Sequence, residues 1–163
     1  TAVGEELLGI PDFAIPDFSA PLSQEKHILK NLKKVFLMIA GAGVQKYGTE
    51  LEEHQQLLLA VADILIEVYM AESAVLRAEK NIGVYGLEAQ EHQVALSQLY
   101  LYQAVEKIST KGREAILGFA EGDEQKALLM GLKRFTKYME YPNVIALRNK
   151  VAEKLTAENV YCF

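Results

Sequence analysis

Apolar residues recur at helical spacing through the first long stretch of the chain. They fall three or four positions apart at Ile28, Leu32, Val35, Phe36 and Ile39. This spacing places them on one face of an α-helix and predicts that the face is buried. Ser23 is a residue type that caps helix N-termini, and Gly48 suits the left-handed position that follows a C-terminus. The pattern therefore predicts a first helix over residues 23–47.

The second stretch is apolar around much of its circumference. One side carries Leu58, Ala62, Leu65, Tyr69 and Leu76, and another carries Leu57, Ile64, Val68 and Val75. An apolar arc this wide predicts a helix that contacts more than one neighbour. We place this helix at about residues 50–80. A loop over residues 81–86 should follow it, because two glycines punctuate that segment.

Three further helices are predicted, over residues 87–119, 123–140 and 144–159. We expect Gly112 to kink the first of them, since glycine weakens a helix interior. Gly122 and Pro142 separate the others, and Asn143 is a suitable cap for the last. No segment has the pattern of a run of strands. Long helices with short connections predict an all-α fold, an antiparallel bundle of four to five helices over residues 23–163.

Residues 1–22 form a separate, proline-rich segment. Pro11, Pro16 and Pro21 recur every five residues, a spacing that blocks helix and favours extended backbone. We predict an extended N-terminal arm that links the bundle to an upstream domain. Its Ile and Phe side chains should pack along the bundle, because loose apolar side chains reduce solubility. The chain starts without Met and without a signal-peptide pattern, so we expect a piece of a longer protein or a processed chain.

Composition narrows the function classes. The chain has 163 residues, 50% of them hydrophobic and 24% charged, which is typical of a globular domain. Its net charge of -5 argues against nucleic-acid binding. The single cysteine, Cys162, cannot form an internal disulfide, which favours a reducing compartment and a cytoplasmic location. The most apolar stretch, residues 57–70, contains two acids and is shorter than the roughly 20 residues of a membrane span.

Two candidate sites are weak on spacing alone. Gly41, Gly43 and Gly48 lack the order and the strand–helix context of a phosphate-binding loop, so we interpret them as small residues where helices approach closely. A di-iron bundle site needs Glu-x-x-His pairs. None of the histidines has a glutamate three positions before it; they are His27, His54 and His92.

Asp63 and Glu67 lie one helical turn apart and share a face. They could be paired carboxylates of an acid–base site, a polar stripe, or partners in salt bridges to Arg77 or to a lysine of another helix. No His, Ser or Lys is placed to complete a catalytic site. We therefore predict no catalytic, cofactor-binding or metal-binding residue in this chain.

Basic residues occur in four short groups. The groups are Lys30, Lys33 and Lys34; Lys111 and Arg113; Lys133, Arg134 and Lys137; and Arg148, Lys150 and Lys154. The third group lies on an amphipathic helix, a pattern that suits an anionic membrane surface. An ordinary solvated face is the simpler interpretation of all four.

The sequence around the second helix resembles a known family. The residues concerned are Lys46-Tyr47-Gly48-Thr49-Glu50-Leu51, Gln56, Ala62-Asp63 and Ala71-Glu72-Ser73-Ala74-Val75-Leu76-Arg77-Ala78. They resemble the C-terminal helical domain of acyl-CoA dehydrogenases, where a Phe-Gly turn opens a long helix. The resemblance is closer to the appended C-terminal region of the long members, the very-long-chain mitochondrial enzymes and fused bacterial ones. It extends over about residues 24–158, through the segments at residues 25–29, 32–36 and 143–146.

The resemblance implies a parent enzyme that oxidises acyl-CoA to trans-2-enoyl-CoA with FAD and a glutamate base. The family's FAD-contacting arginine corresponds to Val44 here, and its Gln-x-x-Gly-Gly element and catalytic glutamate have no counterpart. We therefore expect an inactive, FAD-free domain that serves assembly, domain packing or membrane-surface association. Its partners would be the upstream dehydrogenase core, further copies in a homo-oligomer, and a membrane surface. Alternatives are a free-standing helical module for interaction or dimerisation, and a metal-binding bundle enzyme.

Overall fold

Five α-helices form the part of the chain that the computed structural model describes, residues 18–160. They are α1 (Ser23–Tyr47), α2 (Gln55–Tyr85), α3 (Glu91–Phe119), α4 (Gly122–Phe135) and α5 (Val144–Glu158). Short 3-10 helices, Gly48–Glu53 and Glu88–Gln90, precede α2 and α3. This range contains no β-strand, so the all-α prediction is confirmed. The predictions for the arm over residues 1–17 and for Cys162 lie outside the described residues.

The core lies where α1, α2, α3 and α4 meet. α3 is central, because it packs on α1, α2, α4 and α5, and α2 packs mainly on α3 and α1. Residues with no or almost no exposed surface come from three of these helices: Leu32, Val35 and Ile39 of α1, Ile64 and Val75 of α2, and Leu101, Ile108 and Ile116 of α3. α5 packs on α3 through a small second cluster around Ala95, Leu99 and Val151.

Helix ends agree with the predictions in part. Gly48 has φ +53° and its N–H bonds to the carbonyl of Val44, as expected for a glycine that ends α1. Asn143 caps α5 by accepting a 3.0 Å hydrogen bond from the Ala146 N–H. Ser23 does not cap α1, because its hydroxyl donates to the Ala20 carbonyl at 2.7 Å.

Several predicted boundaries are wrong. α2 begins at Gln55 and not near residue 50, and α3 begins at Glu91 and not near residue 87, because a 3-10 helix precedes each. Residues 81–85 continue α2, and the chain turns only at Gly86, where φ is +82°. Ile82 packs against the core and the Asn81 amide donates to Gln93 Oε1 at 2.6 Å, so tertiary contacts hold this last turn as helix. α4 ends at Phe135 and not at residue 140.

Gly112 does not break α3, which is one helix from Glu91 to Phe119. A Cβ at this position would lie 2.9 Å from Leu132 Cδ1 and 3.1 Å from Ile39 Cδ1. Such distances are too short for carbon atoms, so any larger residue here would force Leu132 and Ile39 to shift. Gly112 thus marks a tight contact of three helices.

Candidate functional site

The solvent-facing side of α2 is apolar along five turns. It carries seven large side chains that are between 37% and 67% exposed: Leu58, Leu59, Leu65, Ile66, Tyr69, Met70 and Leu76. At 100° per residue they lie opposite the buried stripe of Ile64, Val68 and Val75. We call these seven residues the outer face of α2. A surface helix usually turns charged and polar residues to the solvent, so this face is a candidate interface.

The two sides of α2 differ in what they contact. The predicted contact with more than one neighbour is confirmed, but α1 and α3 both meet the same buried stripe. The other apolar side of α2, which forms the outer face, contacts its neighbours within residues 18–160 less than the buried stripe does. Leu65 remains 48% exposed and Tyr69 67% exposed.

Ion pairs border the outer face. Glu67 Oε1 lies 2.7 Å from Lys107 Nζ, and Asp63 Oδ2 lies 3.8 Å from Lys111 Nζ, which joins α2 to α3. On the other edge Glu72 pairs with Lys33 of α1 at 2.5 Å. The apolar centre therefore has a charged rim, an arrangement typical of protein interfaces.

Asp63 and Glu67 are thus salt-bridge partners of lysines on another helix, one of the interpretations left open by the sequence. The Tyr100 hydroxyl also donates to Glu67 Oε2 at 3.2 Å. Hydrogen bonding to Glu67 raises the pKa of Lys107, and partial burial, then the charge of Glu67, raises the pKa of Tyr100. Both carboxylates therefore join α2 to α3.

The turn where the family resemblance places a FAD contact has the wrong charge for a pyrophosphate. Tyr47 stacks on His54 with ring centroids 3.4 Å apart, beside a cavity of about 570 Å³. Glu53, Asp63 and Glu114 line this cavity. Its one lining lysine, Lys111, lies 3.8 Å from Asp63 and 3.6 Å from Glu114. These residues do not fit a dinucleotide.

Of Gly41, Gly43 and Gly48, only Gly43 lies at a close contact between helices, and a Cβ on Gly48 would meet nothing within 4 Å. A Cβ on Gly43 would lie 2.9 Å from Leu57 Cδ2, so α1 and α2 do approach closely there. Gly41 faces open space with nothing within 4 Å and marks no helix contact.

The three histidines lie apart, on α1, before α2 and on α3. His27 is hydrogen-bonded to Asn31, and burial, followed by Lys34 and Lys30, lowers its pKa. His92 Nδ1 lies 3.8 Å from Glu91. Within residues 18–160 no three histidine, cysteine, aspartate or glutamate side chains lie together in a way that could hold a metal ion.

Most of the basic groups take part in contacts within the bundle. Lys34 Nζ lies 5.4 Å from the ring centre of Phe135, and Lys150 pairs with Glu91 at 2.6 Å. Lys133 of α4 is exposed, as is Met130 (70%), and Lys137, which follows the end of α4, is exposed as well. Among the helices of the described range, none combines the length and the hydropathy that crossing a bilayer requires.

Comparisons with known proteins agree with the resemblance. The family described as "Acyl-CoA dehydrogenase, C-terminal domain" matches residues 31–134. A probable acyl-CoA dehydrogenase of Bacillus subtilis is 37% identical over 134 residues, which are 82% of this chain and 22% of that protein. The crystal structure of an acyl-CoA dehydrogenase complexed with FAD from Bacillus anthracis superposes with a TM-score of 0.91 at 32% identity, over 99% of this chain and 27% of that one. The chain thus spans about a quarter of the length of these relatives.

Proposed function

Because this chain belongs to the acyl-CoA dehydrogenase family, whose C-terminal helical domain it matches, we propose that it is a non-catalytic domain of a FAD-dependent acyl-CoA dehydrogenase. The whole enzyme would convert acyl-CoA to trans-2-enoyl-CoA in a catalytic core that precedes these residues. The relatives support this, because about three quarters of their length lies outside the matched part. A cytoplasmic location follows as part of the same proposal.

The outer face of α2 is the observation that carries the proposed role. An apolar centre with a rim of ion pairs is suited to pack on another folded surface. The dehydrogenase core is the occupant that we propose, since it is the part of the relatives that this chain lacks. Docking of the outer face on the core would hold the domain in place in each subunit and in the homo-oligomer that the subunits would form.

The domain itself would not bind FAD. Val44 stands where the family resemblance expects an arginine, and it is exposed. The acidic cavity beside Tyr47 would repel the pyrophosphate of a dinucleotide. FAD would accordingly be held by the core, and substitutions in this domain would change assembly more than chemistry.

Membrane-surface association is a second candidate. It rests on Met130 and Lys133, which are exposed three residues apart on α4, and on exposed Lys137 just after the helix. Sedimentation with phosphatidylserine vesicles should show binding that falls with salt and is lost in the double variant Lys133→Gln/Lys137→Gln. Binding that is absent, or that the double variant retains, would contradict this candidate.

The docking proposal is tested by mixing in trans. The coding sequence before Thr1 is read first, and the dehydrogenase core is expressed apart from the 163-residue chain. The test variant combines Leu65→Ser, Ile66→Ser and Tyr69→Ser, whose wild-type side chains are 48%, 58% and 67% exposed. Burying one such side chain fully is worth about 1.5–3 kcal/mol, so the exposed part of each adds about 1 kcal/mol on docking. The three together should weaken binding to the core about 100-fold, measured by titration calorimetry.

The matched control is Met130→Ser on α4, which removes an even more exposed apolar side chain away from the outer face. It should change the affinity less than about twofold. A truncated chain that begins at residue 18 tests whether the N-terminal arm, and not the core, occupies the outer face. If the arm occupied this face, it would compete with the core, and removing it would tighten binding to the core. A triple variant that binds like the wild type refutes docking through α2. A coding sequence with no dehydrogenase core favours the free-standing interaction module.

A further inference from the structure

A cavity of about 320 Å³, partly open to solvent, lies at the end of the bundle opposite the Tyr47 turn. It is lined by the start of α1, the first half of α3, the connection between α4 and α5, and the first turns of α5. Gln24 Oε1 accepts a 3.1 Å hydrogen bond from the Glu140 N–H and so ties the connection to α1. The volume is at the lower end of the range for small-molecule sites and far exceeds the roughly 30 Å³ of one water.

A buried carboxylate lines this cavity. Glu25 is 7% exposed, and its Oε1 accepts a 2.7 Å hydrogen bond from Gln98 Nε2 of α3. That donor is neutral, and no cationic side chain within residues 18–160 pairs with Glu25. Lys150 also lines the cavity, but its Nζ is held by Glu91 at 2.6 Å. Glu25 thus has no cationic side chain as a partner in the described part of the chain, which favours a cation in the cavity beside it.

A buried tyrosine lines the same cavity. Tyr138 is 3% exposed, and its hydroxyl oxygen has no hydrogen-bond partner among the described residues. Burial and then the negative charge of Glu25 raise the pKa of this phenol, which therefore stays neutral. Its ring lies 5.4 Å from that of Tyr141, another lining residue. Aromatic rings beside a carboxylate are a favourable setting for an organic cation.

We propose that this cavity binds an organic cation, an alkylammonium or guanidinium group, with the Glu25 carboxylate as counter-ion and the rings of Tyr138 and Tyr141 beside it. The group would donate to the Glu25 oxygen that Gln98 leaves open. Water would satisfy the hydrogen bonds without supplying charge. A metal ion fits poorly, because no cluster of three ligating side chains exists in the described part of the chain. The cation comes either from a free amine or from a Lys or Arg side chain of a polypeptide.

The site is separate from the outer face of α2, and the proposal does not rest on the domain's role in a dehydrogenase. Its test uses the 163-residue chain with 3-fluorotyrosine in place of tyrosine. The Tyr138 signal in the fluorine NMR spectrum is assigned by its absence in Tyr138→Phe. Butylammonium chloride should shift this signal saturably. Butanol, which matches the shape of butylammonium, and potassium chloride, which matches the ionic strength, should not shift the signal.

Variants separate the proposed contacts from general electrostatics. Glu25→Gln keeps an acceptor for Gln98 but removes the charge, and it should weaken butylammonium binding at least tenfold. Glu124→Gln removes an exposed carboxylate at the start of α4 and should leave the affinity unchanged within twofold. Tyr138→Leu removes one of the two rings that line the cavity and, followed by the signal of Tyr141, should weaken binding about threefold. It provides a second variant if Glu25→Gln folds poorly.

The same titration distinguishes the two sources of the cation. The peptide acetyl-Gly-Lys-Gly-amide should bind at least as well as butylammonium if the cavity takes a side chain of a polypeptide. Weaker binding of the peptide indicates a free amine, and either result supports a cation site. Equal shifts with butanol, or an unchanged affinity in Glu25→Gln, would overturn the proposal.

Discussion

Gly112→Ala isolates the three-helix contact at the centre of the bundle. In a helix interior the change from Gly to Ala is favourable by about 1 kcal/mol. At this position the new Cβ would lie 2.9 Å from Leu132 Cδ1 and 3.1 Å from Ile39 Cδ1. Leu132 is 2% exposed and Ile39 0%, so neither can move into solvent. Overpacking of this kind costs about 1–3 kcal/mol, and we expect no net gain or a loss of up to about 2 kcal/mol.

Gly41→Ala is the matched control, because Gly41 lies inside α1 and a Cβ there meets nothing within 4 Å. It should raise the free energy of unfolding by about 1 kcal/mol, or the melting temperature by about 2–4 °C. Urea unfolding followed by circular dichroism measures both variants, and their difference should be about 1–3 kcal/mol. If Gly112→Ala stabilises the chain as much as Gly41→Ala does, the close approach of α1, α3 and α4 is wrong. Leu132→Ala should relieve the clash with the new Cβ. The double variant Gly112→Ala/Leu132→Ala should therefore be more stable than the sum of the two single changes in unfolding free energy predicts.

Two further predictions concern α5. Asn143→Ala removes the cap on the Ala146 N–H and should lower the free energy of unfolding by about 1 kcal/mol, measured by urea titration; an unchanged midpoint would contradict the cap. Hydrogen bonding to Lys150, then its charge, lowers the pKa of Glu91. The ion pair therefore stabilises the fold above the unfolded-state pKa of Glu91, and this contribution disappears as the pH falls through the lower folded-state pKa. In thermal melts between pH 7 and 3, the melting temperature of Lys150→Met should depend slightly less on pH than that of the wild type, and identical pH profiles of the two proteins would refute the pairing.

Helical periodicity was sufficient for the fold class, because α1 and α3 bury regular stripes that recur every three or four residues. It failed where a boundary depends on distant contacts. Residues 81–85 contain a glycine and were predicted as loop, yet Ile82 packs on the core and keeps them helical. Gly112 gave the same signal as a helix breaker, although its role depends on Leu132, twenty residues away.

The proposed cation site was missed for a related reason. Glu25 lies in the first turn of a predicted helix, where the helix dipole favours an acidic residue. The sequence alone therefore gives no reason to expect a binding role for it. Its burial arises from Gln98, 73 residues away, and from the α4–α5 connection. Tyr138 was assigned to a helix that in fact ends at Phe135. No local pattern could have placed these two side chains in one cavity.

The composition of α2 explains why its apolar outer face is left for another surface. A helix that is apolar all round could in principle turn either side to the bundle. The buried side contains small residues, Ala71 and Ala78, which let α2 lie close to α1 and α3, whereas bulky Tyr69 on the outer face would hold the helices apart. The ion pairs of Glu67 and Glu72 on opposite edges then fix the rotation of the helix. Rotating α2 to bury the outer face would break both pairs and the close packing at once, which supports the proposal that a partner surface covers that face.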